Sequence, residues 1–562
     1  MLRFKTKKGF RKTPMVKAHD LIGKTLKRKG VDTAFFLMGG PMIGAMDSCI
    51  AEGIRMIDVR HEQAAAFMAQ AYARLRRKPG ICMAASGPGA ANLITGLANA
   101  LIDCVPVIAL GGASPVGYYG IGAFQEIDQV AMMRPVTKWA ERIYDARRIP
   151  EYIDKAYRMA MSGKPGPVYL DLPGDVLYTD VPEQDVVWPK TLLLQDGPAR
   201  ISAKGEDIAR AVDLLREARQ PLIFSGGGSL WSGASEVLTE FVNSTGIPIY
   251  TTPQGRGIVP DDHEFSYLGS RSLALREADV VLITGTRMNY IFGYGKPPRF
   301  SEKVKFIRID IDPTEIEAGT FTDVGIVGDI RTVLKQLGEA LDSATLKKTF
   351  APWRRRLADN NASRRDANEA KIATDQVPIH PLRLCKEVRD WIDRDAVLVV
   401  DGQEILNYGR QTIPTFVAGH RLNSGPFGTM GVGLPFGVGA KAAMPDKLVV
   451  VLHGDGSLGL NVMELDTAVR HKLPVLLVVS LNGGWTADPL RNKPGRDLGY
   501  TRFDKLGESL GCHAEYVEHP ADIRPALERA ATAVRNGQTA VVNVVTDWKA
   551  RAQTADFTAY AT

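Results

Sequence analysis

Two short polar stretches, Gly454-Asp455-Gly456-Ser457 and Asn482-Gly483-Gly484, decide the fold of this chain. Each follows an apolar run typical of a buried strand, and Asn482 comes 27 positions after Asp455. Because ligands bind where the parallel strands of an α/β sheet end, we expect the Asp455 carboxylate, the Asn482 amide oxygen and a carbonyl at Gly484 to meet there. Hard oxygen ligands of this kind suit Mg²⁺, which also binds phosphate oxygens. The spacing therefore predicts a magnesium site that holds a diphosphate.

The bulk composition is that of an ordinary soluble protein, with 45% hydrophobic and 24% charged residues. At 562 residues the chain is too long for one core, and it has room for three or four domains. A net charge of +7 is modest at this size, so it gives weak support for an anionic ligand and does not predict nucleic-acid binding. No apolar run reaches the length of a membrane-spanning helix.

The cysteines and the N-terminal stretch indicate a cellular compartment. Five cysteines are scattered without a Cys-x-x-Cys pair, which is typical of reduced thiols in a cytoplasmic protein. Residues 1–16 are basic and lack an apolar core, so they do not match a secretory signal. They predict a disordered basic tail, with a transit peptide as the alternative.

Three blocks alternate apolar strands with amphipathic helices, which predicts an α/β protein of three doubly wound parallel-sheet domains. The blocks cover 17–182, 201–345 and 377–547, with linkers at 183–200 and 346–376. The last stretch, 548–562, is interpreted either as a frayed tail or as a lid over a substrate. The predicted strands are 33–38, 81–85, 105–111 and 168–172, then 221–225, 248–252, 280–284 and 305–309, then 396–400, 448–452, 475–480 and 540–545.

Three further stretches supply candidate ligand-binding residues. Glu62 stands where an extended segment, 55–60, turns into an Ala-rich helix; taken alone, it is a favourable partner for the helix dipole. Ser86-Gly87-Pro88-Gly89-Ala90-Ala91-Asn92 follows a strand and opens a helix, and its small residues let a ligand approach the backbone. The loop 425–433 is similar, and its Met430 either wedges beneath a cofactor or fills a gap in the core.

Together these residues resemble the thiamine diphosphate (ThDP) enzymes of the decarboxylase and acetolactate synthase type, over about 17–547. The resemblance implies a pyrimidine-binding first domain, a central domain and a diphosphate-binding third domain. Glu62 would hydrogen-bond the aminopyrimidine ring of ThDP and relay a proton. Asp455, Asn482 and Gly484 would hold Mg²⁺. In this family the cofactor lies between two subunits, which implies a homodimer or a dimer of dimers. The implied ThDP contacts are Gly40, Pro88, Asn92, Gln403, Gly428, Met430, Gly454, Gly456 and Ser457.

Within this superfamily the chain is most similar to 2-hydroxyacyl-CoA lyases, oxalyl-CoA decarboxylases and benzaldehyde lyases. Ala123-Phe124-Gln125-Glu126 resembles the Phe-Gln-Glu of the 2-hydroxyacyl-CoA lyases. The resemblance implies that Gln125 faces the reacting carbon with Glu126 beside it; the alternative for Glu126 is a solvated loop residue. The chain keeps Pro41 of the acyl-CoA enzymes but has Gly40 where they carry Ile. The missing side chain would leave room for a bulkier or branched carbonyl partner.

Other residues are candidates for contacts with a nucleotide or a substrate. Arg287 and Asp310 match positions that bind an ADP-like nucleotide in oxalyl-CoA decarboxylase; the alternative is a purely structural middle domain. Arg421 is predicted to meet a CoA phosphate, because guanidinium suits phosphate geometry. Trp485 is expected beside the substrate cleft. Gln403 matches the Gln of the acetolactate synthase Val-Gly-Gln, whereas Glu404 departs from the His of that family.

The resemblance implies a ThDP- and Mg²⁺-dependent lyase that cleaves the C1–C2 bond of a 2-hydroxyacyl-CoA. The products would be formyl-CoA and an aldehyde or ketone, and the reverse acyloin condensation would also run. A cofactor is needed because no ordinary side chain accepts the electrons of the broken carbon–carbon bond. The alternatives are a benzaldehyde-lyase-like carboligase acting on free 2-hydroxyketones, an oxalyl-CoA decarboxylase, and a non-catalytic nucleotide-binding or regulatory subunit.

Overall fold

Three parallel sheets and one antiparallel strand pair organise the computed structural model, which describes residues 14–190, 200–485 and 494–551. Each parallel sheet belongs to one region of the chain, here called the first, middle and third domain. The predicted fold class, three parallel-sheet α/β domains, is confirmed. The predicted basic tail and C-terminal tail fall mostly outside the described residues.

The first domain alternates short strands with helices. Its strands are β1 (Met15–Lys17), β2 (Thr33–Phe36), β3 (Arg55–Asp58), β4 (Gly80–Ala84), β5 (Val107–Ala113), β6 (Trp139–Arg142), β7 (Val168–Pro173) and β8 (Asp180–Pro182). Its helices are α1 (Asp20–Arg28), α2 (Ile43–Ala51), α3 (Glu62–Arg76), α4 (Pro88–Asn92), α5 (Ile94–Ile102), α6 (Gln129–Met133), α7 (Ile149–Met161) and α8 (Gly174–Leu177). β1 pairs with β8, and the other strands form a parallel sheet in the order β3-β2-β4-β5-β7-β6.

The middle domain has a smaller sheet and ends in a long helix that leads to the third domain. Its strands are β9 (Pro221–Ser225), β10 (Ile249–Thr251), β11 (Val280–Thr284), β12 (Lys305–Asp310) and β13 (Val324–Val327), in the order β10-β9-β11-β12-β13. Its helices are α9 (Gly205–Glu217), α10 (Gly227–Trp231), α11 (Ser235–Thr245), α12 (Arg271–Glu277), α13 (Pro313–Ile316), α14 (Ile330–Ala340), α15 (Ser343–Thr349) and α16 (Ala351–Ile372).

The third domain repeats the strand order of the first. Its strands are β14 (Val397–Asp401), β15 (Arg421–Leu422), β16 (Val449–Gly454), β17 (Leu476–Leu481), β18 (His513–Val517) and β19 (Ala540–Val545). Its helices are α17 (Pro381–Trp391), α18 (Glu404–Thr412), α19 (Gly433–Ala443), α20 (Asp455–Gly459), α21 (Glu464–Arg470), α22 (Phe503–Ser509) and α23 (Pro520–Arg535). The sheet order β15-β14-β16-β17-β19-β18 matches the first-domain order strand for strand, so the two domains share one topology.

The first and third domains pack directly against each other through α3 and α19. The Ala-rich face of α3 is fully buried, and Phe67 meets Phe436 edge to face at 6.0 Å between ring centroids. One continuous apolar cluster therefore runs through both domains. The helices approach so closely at Gly439 that a Cβ there would lie 2.4 Å from the Met68 carbonyl oxygen.

Two further observations concern the described residues only. The five cysteines are unpaired. Among the helices of the described ranges, none is both long and apolar enough to cross a membrane.

We expect Gly439→Ala to lower the free energy of unfolding by about 2 kcal/mol, because the new methyl group overpacks the α3–α19 contact. An ordinary helical Gly→Ala change stabilises by up to about 1 kcal/mol. The matched control is Gly338→Ala in α14, where the nearest heavy atom lies 3.9 Å from the added Cβ and no loss is expected. Thermal unfolding of both variants checks this; equal behaviour of the two would contradict the close approach.

Candidate active site

The carboxyl edge of the third-domain sheet carries a small polar cavity of about 30 Å³. β16 ends at Gly454, so that Asp455 opens α20, and β17 ends one residue before Asn482. Residues from both loops and from the end of β14 line this cavity. Those predicted from the sequence are Gln403, Met430, Gly454, Asp455, Gly456, Ser457, Asn482, Gly484 and Trp485. The structure therefore brings the predicted metal and diphosphate residues together.

Asp455 is a buried carboxylate held by backbone amides. Gly456 N donates to its Oδ1 at 2.8 Å, and Gly483 N donates to its Oδ2 at 2.6 Å. Burial raises the pKa of Asp455 to about 6, and hydrogen bonds from the backbone amides of Gly456, Gly483 and Gly484 oppose this rise. Asn482 and Gly484 line the same cavity, and Gly484 N donates to the Asn482 amide oxygen at 3.1 Å. Together with the Asp455 carboxylate, these oxygen-bearing residues fit a hard divalent cation such as Mg²⁺.

A buried histidine that sequence reasoning missed supports this edge of the sheet. His453 lies two residues before Asp455, and its Nδ1 is 2.9 Å from Ser457 Oγ. Its Nε2 lies 3.6 Å from Asp401 Oδ2, and burial lowers the pKa of the imidazole. Asp401 also accepts from Gly433 N at 2.8 Å. These contacts hold the ends of β14 and β16 against the start of α19.

Glu62 lies in a separate cluster in the first domain. It is the first residue of α3, its side chain is buried, and Asn92 Nδ2 donates to its Oε2 at 2.9 Å. A Cβ added at Gly89 would lie 3.3 Å from Glu62 Oε1. Pro88 opens α4 in the same loop. Glu62, Pro88 and Asn92 are thus near one another, but they do not line the small cavity of the same chain.

The glycine-rich loop of the first domain is anchored by a buried polar network that sequence reasoning also missed. Gln129 Oε1 accepts from Gly87 N at 2.6 Å. Gln129 Nε2 donates to Tyr169 Oη at 2.9 Å and to Asp171 Oδ1 at 2.5 Å. Asp171 in turn pairs with Arg142 at 2.6 Å. Because these partners are buried and charged or polar, the network holds the loop in one position.

Gln125 lies beside this loop. Its backbone has φ of 58°, in the left-handed region, and Ser86 Oγ donates to its Oε1 at 2.6 Å. Ser86 Oγ is also 3.3 Å from the carbonyl oxygen of Gly40. No described heavy atom lies within 4 Å of a Cβ built at Gly40, whereas Pro41 packs against Gly112. The structure therefore leaves open space at Gly40, a residue whose carbonyl shares Ser86 as a contact with Gln125.

Glu126 is engaged within its own loop. Its Oε1 accepts from Gly120 N at 2.6 Å and its Oε2 from Ala123 N at 2.8 Å. These hydrogen bonds from backbone amides lower the pKa of Glu126. The geometry favours the alternative that Glu126 is a loop residue, because both of its carboxylate oxygens accept hydrogen bonds from amides of the same loop.

A large cleft of about 1380 Å³ lies where the three domains meet. Gly402, Gln403 and Met430 border both this cleft and the small cavity, so the two adjoin at these residues. Gly428 also lines the cleft. Among the described residues that line it, nine Arg and Lys side chains face five Asp and Glu side chains. The cleft is therefore suited to an anionic ligand larger than a diphosphate.

Arg271 is the clearest anion-binding candidate in the cleft, and sequence reasoning did not find it. Burial and the neighbouring guanidinium groups of Arg299, Arg410 and Arg256 lower its pKa to about 10, so it stays charged at neutral pH. Within the described residues its Nε has no hydrogen-bond partner, and neither does the hydroxyl of Tyr250 in the same cleft. Crowded cations and free donors of this kind match a phosphate group.

Of the residues predicted to contact a nucleotide or a CoA phosphate, Asp310 and Arg287 line the cleft and Arg421 does not. Asp310 lines the cleft, and burial raises its pKa to about 6. Arg287 also lines the cleft but is engaged with Glu315 at 3.0 Å and with the carbonyl of Ile102 at 2.7 Å. Arg421 does not line the cleft. Its side chain is buried and donates to a main-chain carbonyl at 2.8 Å, so we assign it no phosphate contact.

Comparison with protein-family models finds three matches in order along the chain. Residues 16–132 match the N-terminal TPP binding domain of thiamine pyrophosphate enzymes, where thiamine pyrophosphate is another name for ThDP. Residues 208–337 match the central domain of these enzymes. Residues 407–544 match their C-terminal TPP binding domain.

Curated relatives carry several names. A probable acetolactate synthase of Mycobacterium bovis is 35% identical over 94% of this chain and 95% of its own length. A 2-hydroxyacyl-CoA lyase of Arabidopsis thaliana is 34% identical over 95% of this chain and 96% of its own. An oxalyl-CoA decarboxylase of Escherichia coli is 32% identical over 94% of each chain.

We expect Tyr169→Phe to lower the free energy of unfolding by about 1–2 kcal/mol, since it removes a buried hydroxyl that bridges Gln129 and Asp171. Tyr144→Phe is the matched control, because that side chain is 64% exposed and its change should stay within about 0.5 kcal/mol. Thermal unfolding of both variants measures the difference. An unchanged Tyr169→Phe protein would show that the network does not stabilise the loop.

Proposed function

Because the chain belongs to the family of thiamine diphosphate enzymes, with their N-terminal, central and C-terminal domains in order, we propose that it cleaves 2-hydroxyacyl-CoA thioesters. The reaction would break the C1–C2 bond and release formyl-CoA together with an aldehyde or ketone. The same site would also run the reverse condensation.

The position of the cationic cleft directly beside the small cavity carries this proposal. A CoA thioester has a long arm that ends in an adenine nucleotide with several phosphates. The cleft has the volume and the positive charge for that nucleotide, and Gln403 and Met430 mark where the cleft reaches the small cavity. The arm would therefore deliver the reacting carbonyl to the place where ThDP is expected.

Asp455, Asn482 and Gly484 would hold Mg²⁺ and, through it, the diphosphate. ThDP supplies the electron sink that carbon–carbon cleavage requires. Glu62 would hydrogen-bond the pyrimidine and hold the proton that the reaction moves. Since Glu62 does not line the cavity of its own chain, a second copy would bring its Glu62 to this cavity. The active unit would then be a homodimer, or a dimer of dimers.

Exposed apolar side chains support this pairing of two copies. Ile121 and Phe124, on the loop next to Gln125, are 75% and 86% exposed. On the third domain, Phe427 and Leu460 are 47% and 53% exposed. Large exposed apolar groups on both candidate faces fit burial in a dimer interface.

The open space at Gly40 supports a carbonyl partner with a branch next to the reacting carbon. Ser86 contacts both Gly40 and Gln125, and Gln125 would face that carbon. Asp310 would accept hydrogen bonds from ribose hydroxyls of an ADP-like nucleotide in the middle domain, as acids at strand ends do in dinucleotide sites.

One substrate panel separates the candidate reactions. It contains 2-hydroxyacyl-CoA thioesters, oxalyl-CoA, free 2-hydroxyketones and pyruvate; pyruvate is included because a relative named acetolactate synthase is as similar as the lyases. Formyl-CoA from the first group supports the proposal. Turnover confined to pyruvate, oxalyl-CoA or the free ketones would assign the chain to one of the other reactions.

We expect Glu62→Gln to lower kcat by about 10²–10⁴-fold, because an amide cannot relay the proton. Binding of ThDP and Mg²⁺, followed by circular dichroism, should persist. Glu206→Gln, at an exposed position of α9, is the matched control and should keep full activity. Full activity of Glu62→Gln would rule out the proposed role.

We expect Arg271→Gln to raise the KM for a 2-hydroxyacyl-CoA about tenfold or more, since a charge-assisted hydrogen bond contributes about 1.5–3 kcal/mol. The corresponding N-acetylcysteamine thioester, which lacks the nucleotide, should show no change between wild type and variant. Arg276→Gln, an exposed residue of the same helix, is the control. An equal KM for the CoA thioester in both variants would remove Arg271 from the binding site.

A further inference from the structure

Glu464 is a buried acid that none of the roles above uses. It is the first residue of α21 in the third domain, and it is only 1% exposed. Its Oε2 accepts from Thr467 Oγ1 at 2.6 Å, and its Oε1 accepts from Arg60 N at 3.1 Å. Arg60 belongs to the first domain and stands two residues before Glu62. The Glu464 carboxylate therefore reaches across the domain boundary to the backbone that leads into α3.

Burial makes this carboxylate costly for the fold. It raises the pKa of Glu464 to about 7, and the hydrogen bonds from Thr467 and from the amides of Arg60 and His61 oppose that rise only in part. Burial of this acid is unfavourable, and its carboxylate accepts hydrogen bonds from a backbone segment rather than pairing closely with a cation. Such a residue is a candidate for a functional role.

The ion pairs around Glu464 do not account for its position. Asp58 pairs with Arg470 at 2.7 Å, and Arg60 approaches Asp466 at 3.5 Å. The side chains of these pairs are 24% to 51% exposed, so each pair is expected to stabilise the domain contact only weakly. Glu464 differs from them because it is buried and accepts hydrogen bonds from main-chain amides.

The segment that Glu464 holds sets where Glu62 points. His61 caps α3 in an extended conformation, with φ of −153° and ψ of 137°, and its side chain accepts from Gln63 N. The chain therefore turns sharply at His61 into the first helical residue, Glu62. A carboxylate that accepts from the amides of the two residues directly before Glu62 limits how far the Glu62 backbone can move.

We propose that Glu464 is a positioning residue for Glu62, which it orients through the amides of Arg60 and His61 in the same chain. This inference rests on the proposed role of Glu62. Asn92 holds the Glu62 carboxylate at 2.9 Å from one side, and Glu464 holds its backbone from the other domain. The third domain thereby sets the direction of a first-domain acid.

The test compares three variants of the full-length protein. Glu464→Ala removes the acceptor, and Glu464→Gln keeps a side-chain oxygen that can accept from the same amides. Asp466→Ala removes the partly exposed ion pairs that this residue of the same helix makes with Arg60 and Arg470. The first measurement is amide hydrogen exchange of the peptide that contains Arg60 and His61, without ThDP. The second is the rate of deuterium exchange at C2 of the thiazolium ring of bound ThDP, whose proton Glu62 would help to remove through the pyrimidine. The dissociation constant of ThDP is measured with it.

We expect Glu464→Ala to speed amide exchange in that peptide and to slow C2 exchange about tenfold or more, because a catalytic group displaced by about 1 Å loses up to about a hundredfold in rate. The ThDP dissociation constant should stay within about twofold in all three variants, since none of them touches the cavity. Glu464→Gln should restore both rates to near wild type, and Asp466→Ala should leave them unchanged.

The inference would be overturned if Glu464→Ala kept the wild-type rates of amide exchange and C2 exchange. It would also be overturned if Asp466→Ala changed these rates as much as Glu464→Ala does. Glu62→Gln is measured in parallel, so that a failure of the proposed function can be told from a failure of the positioning role of Glu464. If Glu62→Gln also exchanges C2 at the wild-type rate, the proposed function fails. If it loses exchange while Glu464→Ala does not, only the positioning role fails.

Discussion

The rest of the site depends on one buried carboxylate that is held by amides at the ends of two neighbouring strands. β16 and β17 pair in parallel with Gly454 opposite Ser480, which sets Asp455 next to the turn at Gly483. A slip of one residue in this register would turn every side chain of the strand to the other face. These largely apolar strands therefore do more than fill the core, because their register decides whether the oxygen donors meet.

A second constraint is the excess of positive charge where the three domains meet. Arg271, Arg299 and Arg410 lie near one another around the cleft, and like charges at short range destabilise the arrangement unless an anion joins them. The domain contacts must withstand this repulsion. The continuous apolar cluster between α3 and α19 provides a large part of that stability, since it buries side chains of both domains at once.

Much of the fold could be predicted because fully buried parallel strands are continuous apolar runs bounded by glycine-rich turns. Residues at the ends of those runs, such as Asp455 and Asn482, could be placed at one sheet edge for the same reason. Gln129, Arg271 and Glu464 could not be found in this way. Each is an ordinary polar residue whose partners stand far away in the chain, up to 404 positions for Glu464 and Arg60. Arg421 shows the converse, because an arginine in a promising motif is buried beside a main-chain carbonyl.

The sequence by itself determined the three α/β domains, the oxygen donors of the expected metal site and the family of the chain, because these depend on local hydrophobic pattern and on short motifs. Only the tertiary structure decided which charges line the cleft, that the cleft adjoins the cavity at Gln403 and Met430, and that Glu62 lies outside the cavity of its own chain. These features depend on how separate domains pack, and packing brings together residues whose distance along the chain carries no information about their distance in space.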